Sequence, residues 1–408
     1  MADEGLEPAG LRRRLAFVVT RDLSESVGRV NTIRAHLKAL GEIAEVEVIE
    51  LPTATANARI IGLIRIMLAF AGALLSGRPA SLQVLLYSAG PGPGAALARL
   101  RAGGFDTVIF DMIRCERLIR LCAGGLPGVR LVADMDDLLS RRLEMEREAA
   151  HPMSLGMAAS QLPGVIGKLL SLGVVTRTLS AYESWTLRSA EKAVVSLTSC
   201  TILVSPVERS ILAAACPPEL GERIRTIFPT VPIRRIAEPD ETVVQRCIFI
   251  GGDHQQQNFL ALDFLTGLWR DHSPAVELHV YGRKSREWPQ IPGVVWHGYT
   301  ESLADAYQPG SLALAPTFRV GGIKTKVLEG WSYGIPVALN QEALQGIGVT
   351  QYPLVLSEEG WATLCESPDK LSASARGAVE IGQEWLGLYC SEEHNRRVWE
   401  DILDLPIA

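Results

Sequence analysis

The chain of 408 residues is longer than one ordinary hydrophobic core and predicts two domains of roughly 150 to 200 residues each. Its 40 lysines and arginines against 46 aspartates and glutamates give a formal net charge of −6, which excludes the basic excess typical of nucleic-acid-binding proteins. Seven scattered cysteines without a CxxC pair, and an N-terminal region without an apolar signal segment, favour a reducing cytoplasm.

Short apolar runs alternate with helical patterns through the first half of the chain. Helices are predicted around 30–40 and 95–101 and along the stretch 137–199, whose end is amphipathic. The predicted strands are 15–20, 46–51, 107–112, 129–137 and 200–206. Because such runs, bounded by Gly, Pro and Asp and alternating with helices, are typical of parallel sheets, this half predicts an open α/β domain.

One segment of this half is strongly apolar. Residues 59–75, RIIGLIRIMLAFAGALL, are short for a membrane span and include Arg65, so we do not expect them to cross a bilayer. Two interpretations stay open. The segment is either a core or cap helix, or a helix that lies on a membrane with Arg59, Arg65 and Arg78 near anionic headgroups.

A second α/β domain follows a segment rich in proline and charge, 227–244, which has the composition of a linker. The strands predicted after it are 246–252, 277–282, 294–299, 312–317 and 335–340, with helices near 258–269, 302–307 and 391–404. We therefore predict an N-terminal domain at 1–235 and a C-terminal domain at 236–390, with a last helix at 391–408 that packs back on the first domain.

The stretch 319–340, RVGGIKTKVLEGWSYGIPVALN, predicts a strand-turn-helix-strand unit with a chemical conflict at its centre. Lys324 and Lys326 stand at the helix start, where the helix dipole disfavours cations and favours an anion. Glu329 follows Lys326 by three residues, so it faces the same side and can accept hydrogen bonds from sugar hydroxyls. The pattern indicates a nucleotide diphosphate site. The alternative is an ordinary Lys326–Glu329 pair on a solvated face, after a tight glycine turn.

Three carboxylates in DMDDLLSRR (134–142) follow a predicted strand, at the sheet edge where open α/β folds bind ligands. Asp134 and Asp136 form a D-x-D pair, a pattern that can hold a divalent cation; the two-domain alternation argues against that use here. Asp136 or Asp137 is alternatively the N-cap of the following helix.

Several segments of the chain resemble those of a known family. GGIKTKVLEGWSYGIPV is similar to the nucleotide-sugar motif of GT-B glycosyltransferases of family 4 (group 1), G-x-G-x-K-x-K-hydrophobic-x-E-A-x-A-x-G-x-P-V-V. FIGGDHQQQNFLALDFL resembles the opening of their C-terminal domain, GRVNTIRAHLKAL their first N-terminal helix, and FDTVIFDMIR with VADMDDLLSRR their acceptor-side strands. The resemblance implies two Rossmann-like domains that face each other across a cleft.

The resemblance also implies a donor site. In that family the counterpart of Glu329 binds the ribose, while the helix-start lysines and backbone amides bind the diphosphate. The positions matched to donor binding are Gly28, Tyr299, Gly321, Gly322, Ile323, Lys324, Thr325, Lys326 and Glu329. Two departures stand out: Gly321 replaces an acid that usually touches the transferred sugar, and GGDHQQQN replaces a frequent basic pair. They leave the identity of the donor sugar open.

On the acceptor side, the resemblance places Asp136 near the anomeric carbon of the donor, so Asp136 or Asp137 is expected to take or orient the proton of the acceptor hydroxyl. Arg114 and Arg141 are the candidates for binding a phosphate or an acidic acceptor. No metal and no cofactor are expected.

The expected function is transfer of a sugar from a nucleotide sugar to a glycan or lipid-linked glycan, with retention of configuration, in bacterial surface polysaccharide or glycoconjugate synthesis. The expected location is the cytoplasm, with peripheral contact at the inner membrane face. Two alternatives stay open: a nucleotide-sugar epimerase on the same fold, and a non-catalytic nucleotide-sugar-binding subunit, which the missing acid at Gly321 suggests.

Overall fold

The computed structural model describes residues 13–24, 28–56, 59–148, 173–234, 244–318 and 321–404. Contacts divide the chain into two compact units. Unit 1 runs to Leu203 and adds Arg209–Ile227 and the residues from Arg396 onward. Unit 2 comprises Val204–Glu208 and Phe228–Asn395.

In unit 1 the described strands form a six-stranded parallel sheet with the order β2-β1-β3-β4-β5-β6. These strands are β1 Arg14–Val19, β2 Glu45–Glu50, β3 Thr107–Asp111, β4 Arg130–Asp134, β5 Cys200–Leu203 and β6 Ile224–Thr226. Leu15 to Val19 are fully buried, as expected where helices cover both faces of a parallel sheet. The order reverses direction between β1 and β3, and the carboxyl ends of strands at such a point are where open α/β sheets bind ligands.

The helices of this part of the chain surround the sheet. They are α1 Gly28–Ile43, α2 Arg59–Leu75, α3 Leu82–Ser88, α4 Gly92–Gly103, α5 Glu116–Gly125, α6 Leu139–Glu148, α7 Gly173–Leu197, α8 Pro206–Ala214 and α9 Pro218–Gly221. A short 3-10 helix, Ile113–Cys115, precedes α5. The predicted stretch 137–199 thus contains two helices, and residues 149–172 between them lie outside the described part.

Unit 2 contains a five-stranded parallel sheet in its described residues, with the order β11-β10-β7-β8-β9. The strands are β7 Arg246–Ile250, β8 Glu277–Tyr281, β9 Val294–Gly298, β10 Ser311–Ala315 and β11 Val337–Leu339. The remaining helices are α10 Gln256–His272, α11 Thr325–Ser332, α12 Gln341–Gln345, α13 Glu358–Glu366, α14 Ser372–Tyr389 and α15 Glu392–Asp404. Strand order reverses between β7 and β10, so the carboxyl ends of these two strands mark the ligand-binding edge of this sheet.

The last two helices of the described chain each contribute to a core. Trp399 of α15 is fully buried in unit 1, where its indole N–H donates to Nδ1 of His36 at 3.2 Å. In unit 2, α14 packs its Gly382 against the indole of Trp331 in α11, so a helix far along the chain supports the glycine-lysine motif. Each helix packs into the core of its unit against elements that are far from it in sequence.

Helix α2 is the apolar segment 59–75, and it is not a core helix, whereas a cap helix with one face packed on unit 1 and a helix that lies on a membrane both stay open. Gly62 is its only fully buried residue, and Ile66 packs against the core of unit 1. The opposite face is open to solvent and carries the α2 surface, which consists of Ile60, Ile61, Ile64, Met67, Leu68, Leu74 and Leu75. Among the described residues, no helix combines the length and the hydropathy that crossing a bilayer needs.

Candidate functional site

The glycine-lysine motif lies at the carboxyl ends of β7 and β10, where the sheet of unit 2 reverses its order. Gly321 and Gly322 form the turn after β10, with φ angles of 131° and 56° that favour glycine. Helix α11 then begins at Thr325, and Lys324 is its N-cap residue without a side-chain capping hydrogen bond. The amide of Val327 in the first turn donates to the carbonyl of Lys324 at 2.9 Å, and no side chain caps the turn, so this helix start has the features of an anion site.

Lys326 is held beneath this helix start by two neighbours. Its Nζ donates to Oδ1 of Asn258 at 2.9 Å and lies 4.1 Å from the ring centroid of Phe249 on β7. Burial lowers the pKa of Lys326 to about 7, Lys324 adds to the lowering, and Glu329 opposes it. A lysine with a pKa near 7 gains its charge when an anion binds beside it.

The other residues of the motif take distinct positions. Glu329 is partly buried, and burial raises its pKa, although Lys326 and Arg234 lower it. Nζ of Lys324 donates to the carbonyl of Gly321 at 2.8 Å and so closes the turn. Ile323 is half-buried against the core of unit 2, and Thr325 is exposed.

The loops beside the motif are tied together by residues that the sequence did not single out. Asp253, after β7, is fully buried and accepts hydrogen bonds from the amide of Ser285 at 2.6 Å and from the indole of Trp288 at 2.8 Å. Nδ2 of Asn258 donates to the carbonyl of Gly252 at 3.1 Å, and Oδ1 of the same side chain accepts the hydrogen bond from Lys326. These bonds fix the loops after β7 and β8. The feature of the sequence that could have revealed this arrangement is the glycine pair before Asp253, because glycines let the backbones of the two loops approach closely.

Tyr299 lies at the carboxyl end of β9 and is 66% exposed, with the guanidinium of Arg283 at 5.3 Å from its ring centroid. It shares this edge of the sheet with the motif. Gly28, by contrast, is the exposed first residue of α1 in unit 1. The predicted donor residues are thus mostly brought together in unit 2, and Gly28 is the one in the other unit.

Unit 1 presents a buried ion cluster at the carboxyl ends of its strands. Arg29 pairs with Asp111 at 2.9 Å, Asp134 at 2.7 Å and Asp136 at 3.2 Å. Burial alone would lower the pKa of Arg29, yet Asp134, Asp136 and Asp111 hold it well above its usual value. Burial also raises the pKa of Asp134. Burial and the charge of Arg29 lower the pKa of His36 to about 3, so its imidazole is neutral.

Asp136 and Asp137 differ in their surroundings. Asp136 has a φ of 66°, in the left-handed region that is uncommon for non-glycine residues but that aspartate tolerates better than most, and its side chain is 23% exposed. Asp137 is buried and ion-paired with Arg142. Helix α6 begins at Leu139, and the amide and hydroxyl of Ser140 in its first turn are bound by Glu191 of α7. Glu191 therefore binds the first turn of α6, for which Asp136 or Asp137 was the alternative N-cap.

The predicted arginines are also placed. Arg114 lies in the 3-10 helix after β3, where its Nε donates to Oε1 of Gln83 at 3.3 Å. Arg141 is half-buried on α6, and its Nε has no hydrogen-bond partner within the described residues. No group of three or more His, Cys, Asp or Glu in the described ranges is arranged to hold a metal ion. Both carboxylates of the D-x-D pair face Arg29 instead.

The comparisons with known proteins concern the family of one part of the chain and the fold. Residues 245–363 match the family model described as "Glycosyl transferases group 1", and this range contains β7 to β11 and the whole glycine-lysine motif. The chain carries a group 1 glycosyltransferase domain. A search of the curated proteins found no match to this chain.

Solved structures similar to this chain show the fold around the group 1 domain. Sucrose-phosphate synthase from Thermosynechococcus elongatus is 12% identical, with a TM-score of 0.61 over 96% of this chain and 98% of that one. Anabaena HepE in complex with UDP is 10% identical, with a TM-score of 0.58 over 96% and 100%. The galactosyltransferase WaaB of the lipopolysaccharide outer core is 11% identical, with a TM-score of 0.55 over 96% and 99%. TarM, at a TM-score of 0.50, has 58% of its length covered. The fold is GT-B.

Proposed function

We propose that the protein transfers a sugar from a nucleotide-sugar donor to a glycan or lipid-linked glycan. The observation that carries this proposal is Lys326, a partly buried lysine with a lowered pKa at the start of a helix, beside Glu329 and at the ligand-binding edge of the sheet. This arrangement suits a diphosphate followed by a ribose.

The proposed chemistry assigns one role to each group. The diphosphate leaves with negative charge, which Lys326 and the N–H groups at the start of α11 stabilise in the transition state. Glu329 accepts the ribose hydroxyls. On unit 1, Asp136 takes or orients the proton of the acceptor hydroxyl, since its carboxylate reaches solvent. We favour Asp136 over Asp137, which is buried against Arg142.

Two finer features belong to the same proposal. Transfer proceeds with retention of configuration, as the resemblance implies, and without a bound metal. The pairing of Asp134 and Asp136 with Arg29 supports metal independence, because the guanidinium occupies the carboxylates that a D-x-D metal site would use. A nucleotide with uracil is the first donor to test, since the similar HepE was crystallised with UDP and with UDP-glucose.

The missing acid at Gly321 limits which sugar contacts are available. A Cβ at this position would meet Oε1 of Glu208 at 3.7 Å, and the φ of 131° is one that side-chain-bearing residues rarely adopt. The absence of the family acid is thus linked to a backbone conformation that only glycine takes easily. We propose that donor-sugar recognition uses groups other than a side chain at position 321.

The α2 surface supports a second part of the proposal, peripheral docking on an anionic membrane. Met67 and Leu68 are each 68% exposed, and the exposed Arg65 lies on the same helix. An exposed apolar helix face of this kind with adjacent arginines fits the interface of a bilayer, where each cation near the surface contributes about 1 kcal/mol. A lipid-linked acceptor at the cytoplasmic face would then lie beside unit 1.

The transferase proposal is tested by thermal shift and by product analysis. UDP-, GDP-, ADP- and dTDP-sugars are screened first, because a donor that binds the folded state raises its melting temperature. The stabilising donor is then incubated with candidate glycans. Transfer to a glycan, lost in Lys326→Ala and Glu329→Ala, supports the proposal. Release of an epimer without a glycosylated product would show an epimerase, and binding without any turnover would show a binding subunit.

Membrane docking is tested by sedimentation with vesicles of phosphatidylglycerol and phosphatidylcholine. Wild type is expected to bind the anionic vesicles, and the double variant Met67→Glu, Leu68→Glu is expected to lose binding. Leu388→Glu is the matched control, because Leu388 is 56% exposed on unit 2. If the double variant changes only self-association in solution, the α2 surface is an interface between copies of the chain and the docking proposal is wrong.

A further inference from the structure

Two arginines meet at the carboxyl ends of β1 and β3, where the sheet of unit 1 reverses its order. Nη2 of Arg21 lies 3.4 Å from Sδ of Met112, and Nη1 of Arg114 lies 3.6 Å from the same sulfur. The two guanidinium nitrogens are therefore within about 7 Å of each other, a range over which like charges repel in a partly desolvated place.

The neighbouring acids form no ion pair with either arginine within the described residues, although the fields of Asp111 and Asp136 partly compensate the charge of Arg21. Asp111 and Asp136 are the carboxylates near Arg21, and both are ion-paired with Arg29. Within the described residues, neither Arg21 nor Arg114 forms an ion pair of its own, and Nε of Arg21 is buried without a hydrogen-bond partner. Burial and the field of Arg114 lower the pKa of Arg21. Two cations are thus held together with donor capacity unused.

The surroundings fix Arg114 in this position. Its Nε is bound by Gln83, and its guanidinium lies 5.8 Å from the ring centroid of Tyr87, whose hydroxyl donates to the carbonyl of Thr20 at 3.1 Å. Met112, between the two arginines, has a φ of 67° although it is not glycine. A backbone held in this conformation and a guanidinium held at its Nε are features of a preorganised binding site.

We infer that Arg21 and Arg114 together bind an oxyanion of the acceptor, either the phosphate of a lipid carrier or the carboxylate of an acidic sugar. The inference rests on the proposed function for the assignment of this ligand to the acceptor. Guanidinium groups offer paired, coplanar donors that match both oxyanions, and a bound anion relieves the repulsion between the two cations. Asp136 is close enough to influence Arg21, so this anion would lie beside the proposed proton acceptor.

Binding of small probes to the full-length protein tests the inference. Glucuronic acid and glucose 1-phosphate represent the two sources of the oxyanion, and glucose is the neutral control. Calorimetric titration is carried out with saturating UDP or other stabilising nucleotide, so that the phosphate site of unit 2 is occupied. Wild type is expected to bind at least one of the two anions and not glucose, and the better probe identifies the source.

Arg21→Gln and Arg114→Gln are each expected to weaken that binding roughly tenfold or more, because a charge-assisted hydrogen bond is lost. Arg117→Gln removes the same charge from an exposed position on α5 and is expected to leave it unchanged. Nucleotide affinity serves as the folding control for all three variants. Unaltered anion binding in both glutamine variants, or no anion binding by wild type, overturns the inference. Failure of nucleotide binding in wild type would instead count against the proposed transferase.

Discussion

The affinity for the donor should depend on pH through Lys326. In the free protein its pKa is about 7, so the side chain loses its charge progressively above neutral pH. A bound diphosphate beside Nζ favours the charged form and raises this pKa, so binding takes up a proton. Because the pKa of Lys326 in the free protein lies near 7, the side chain is mostly neutral above this pH and must take up a proton from solvent when the donor binds.

The magnitude follows from the fraction of charged lysine. Below pH 6.5 Lys326 is mostly charged, and the affinity for UDP-glucose should be independent of pH. At pH 8 about one molecule in ten carries the charge, so Kd is expected to be roughly tenfold higher, equivalent to about 1.4 kcal/mol. Calorimetry at pH 8 in buffers of different ionisation enthalpy should show uptake of about 0.9 proton on binding.

Variants separate this lysine from its neighbours. Lys326→Met should bind weakly with an affinity that no longer changes with pH, whereas Lys324→Arg, a matched control, should keep the wild-type dependence. Because Lys324 lowers the pKa of Lys326 and Glu329 raises it, Lys324→Met should move the onset of the affinity loss to higher pH and Glu329→Gln to lower pH. The reasoning is refuted if Kd stays constant from pH 6.5 to 8.5 in wild type, or if the pH dependence survives in Lys326→Met.

Three further predictions concern stability and metal use. Arg29→Met should lower the free energy of unfolding in urea by about 3–5 kcal/mol at pH 7, because buried carboxylates lose their partner. The loss should shrink as the pH falls, because burial raises the pKa of Asp134 and its carboxyl then takes up a proton. A loss below about 1 kcal/mol at pH 7 would contradict the cluster. Gly382→Ala should lower the free energy of unfolding by about 1–3 kcal/mol, since the added Cβ would overlap the indole of Trp331. Gly387→Ala on the same helix has room for a Cβ and should lower it less. Equal melting temperatures of the two variants would refute this packing. Transfer activity should persist in EDTA, and complete loss restored by manganese would establish a metal site.

Local sequence chemistry predicted the backbone of the glycine-lysine motif. The glycine turn, the helix start at Lys324 and the strand after Gly334 each follow from residues close together in the chain, whose backbone preferences act locally. The alternation of apolar runs with helical patterns likewise indicated parallel sheets. What local chemistry did not predict was the burial of Lys326, because the ring and the amide that hold it come from β7 and α10.

The ion cluster of unit 1 was not predictable from local sequence. DMDD marked the correct strand end, but its spacing did not reveal that Asp134 is a buried partner of Arg29 while Asp136 reaches solvent. That distinction depends on α1 delivering Arg29 to the ends of β3 and β4, across more than 80 residues of sequence. Arg21 and Arg114 likewise lie close together only because β1 and β3 are neighbours in the sheet.

The sequence by itself therefore determined the α/β class, the order of the elements and the turn and helix start of the glycine-lysine motif, since these depend on periodicity and on backbone groups within a few residues. Only the tertiary structure decided which charged groups are neutralised and which remain available. The physical reason is that the ion pairs and the desolvation that set the state of Lys326, Arg29 and Asp136 come from strands and helices that meet only when the sheets form.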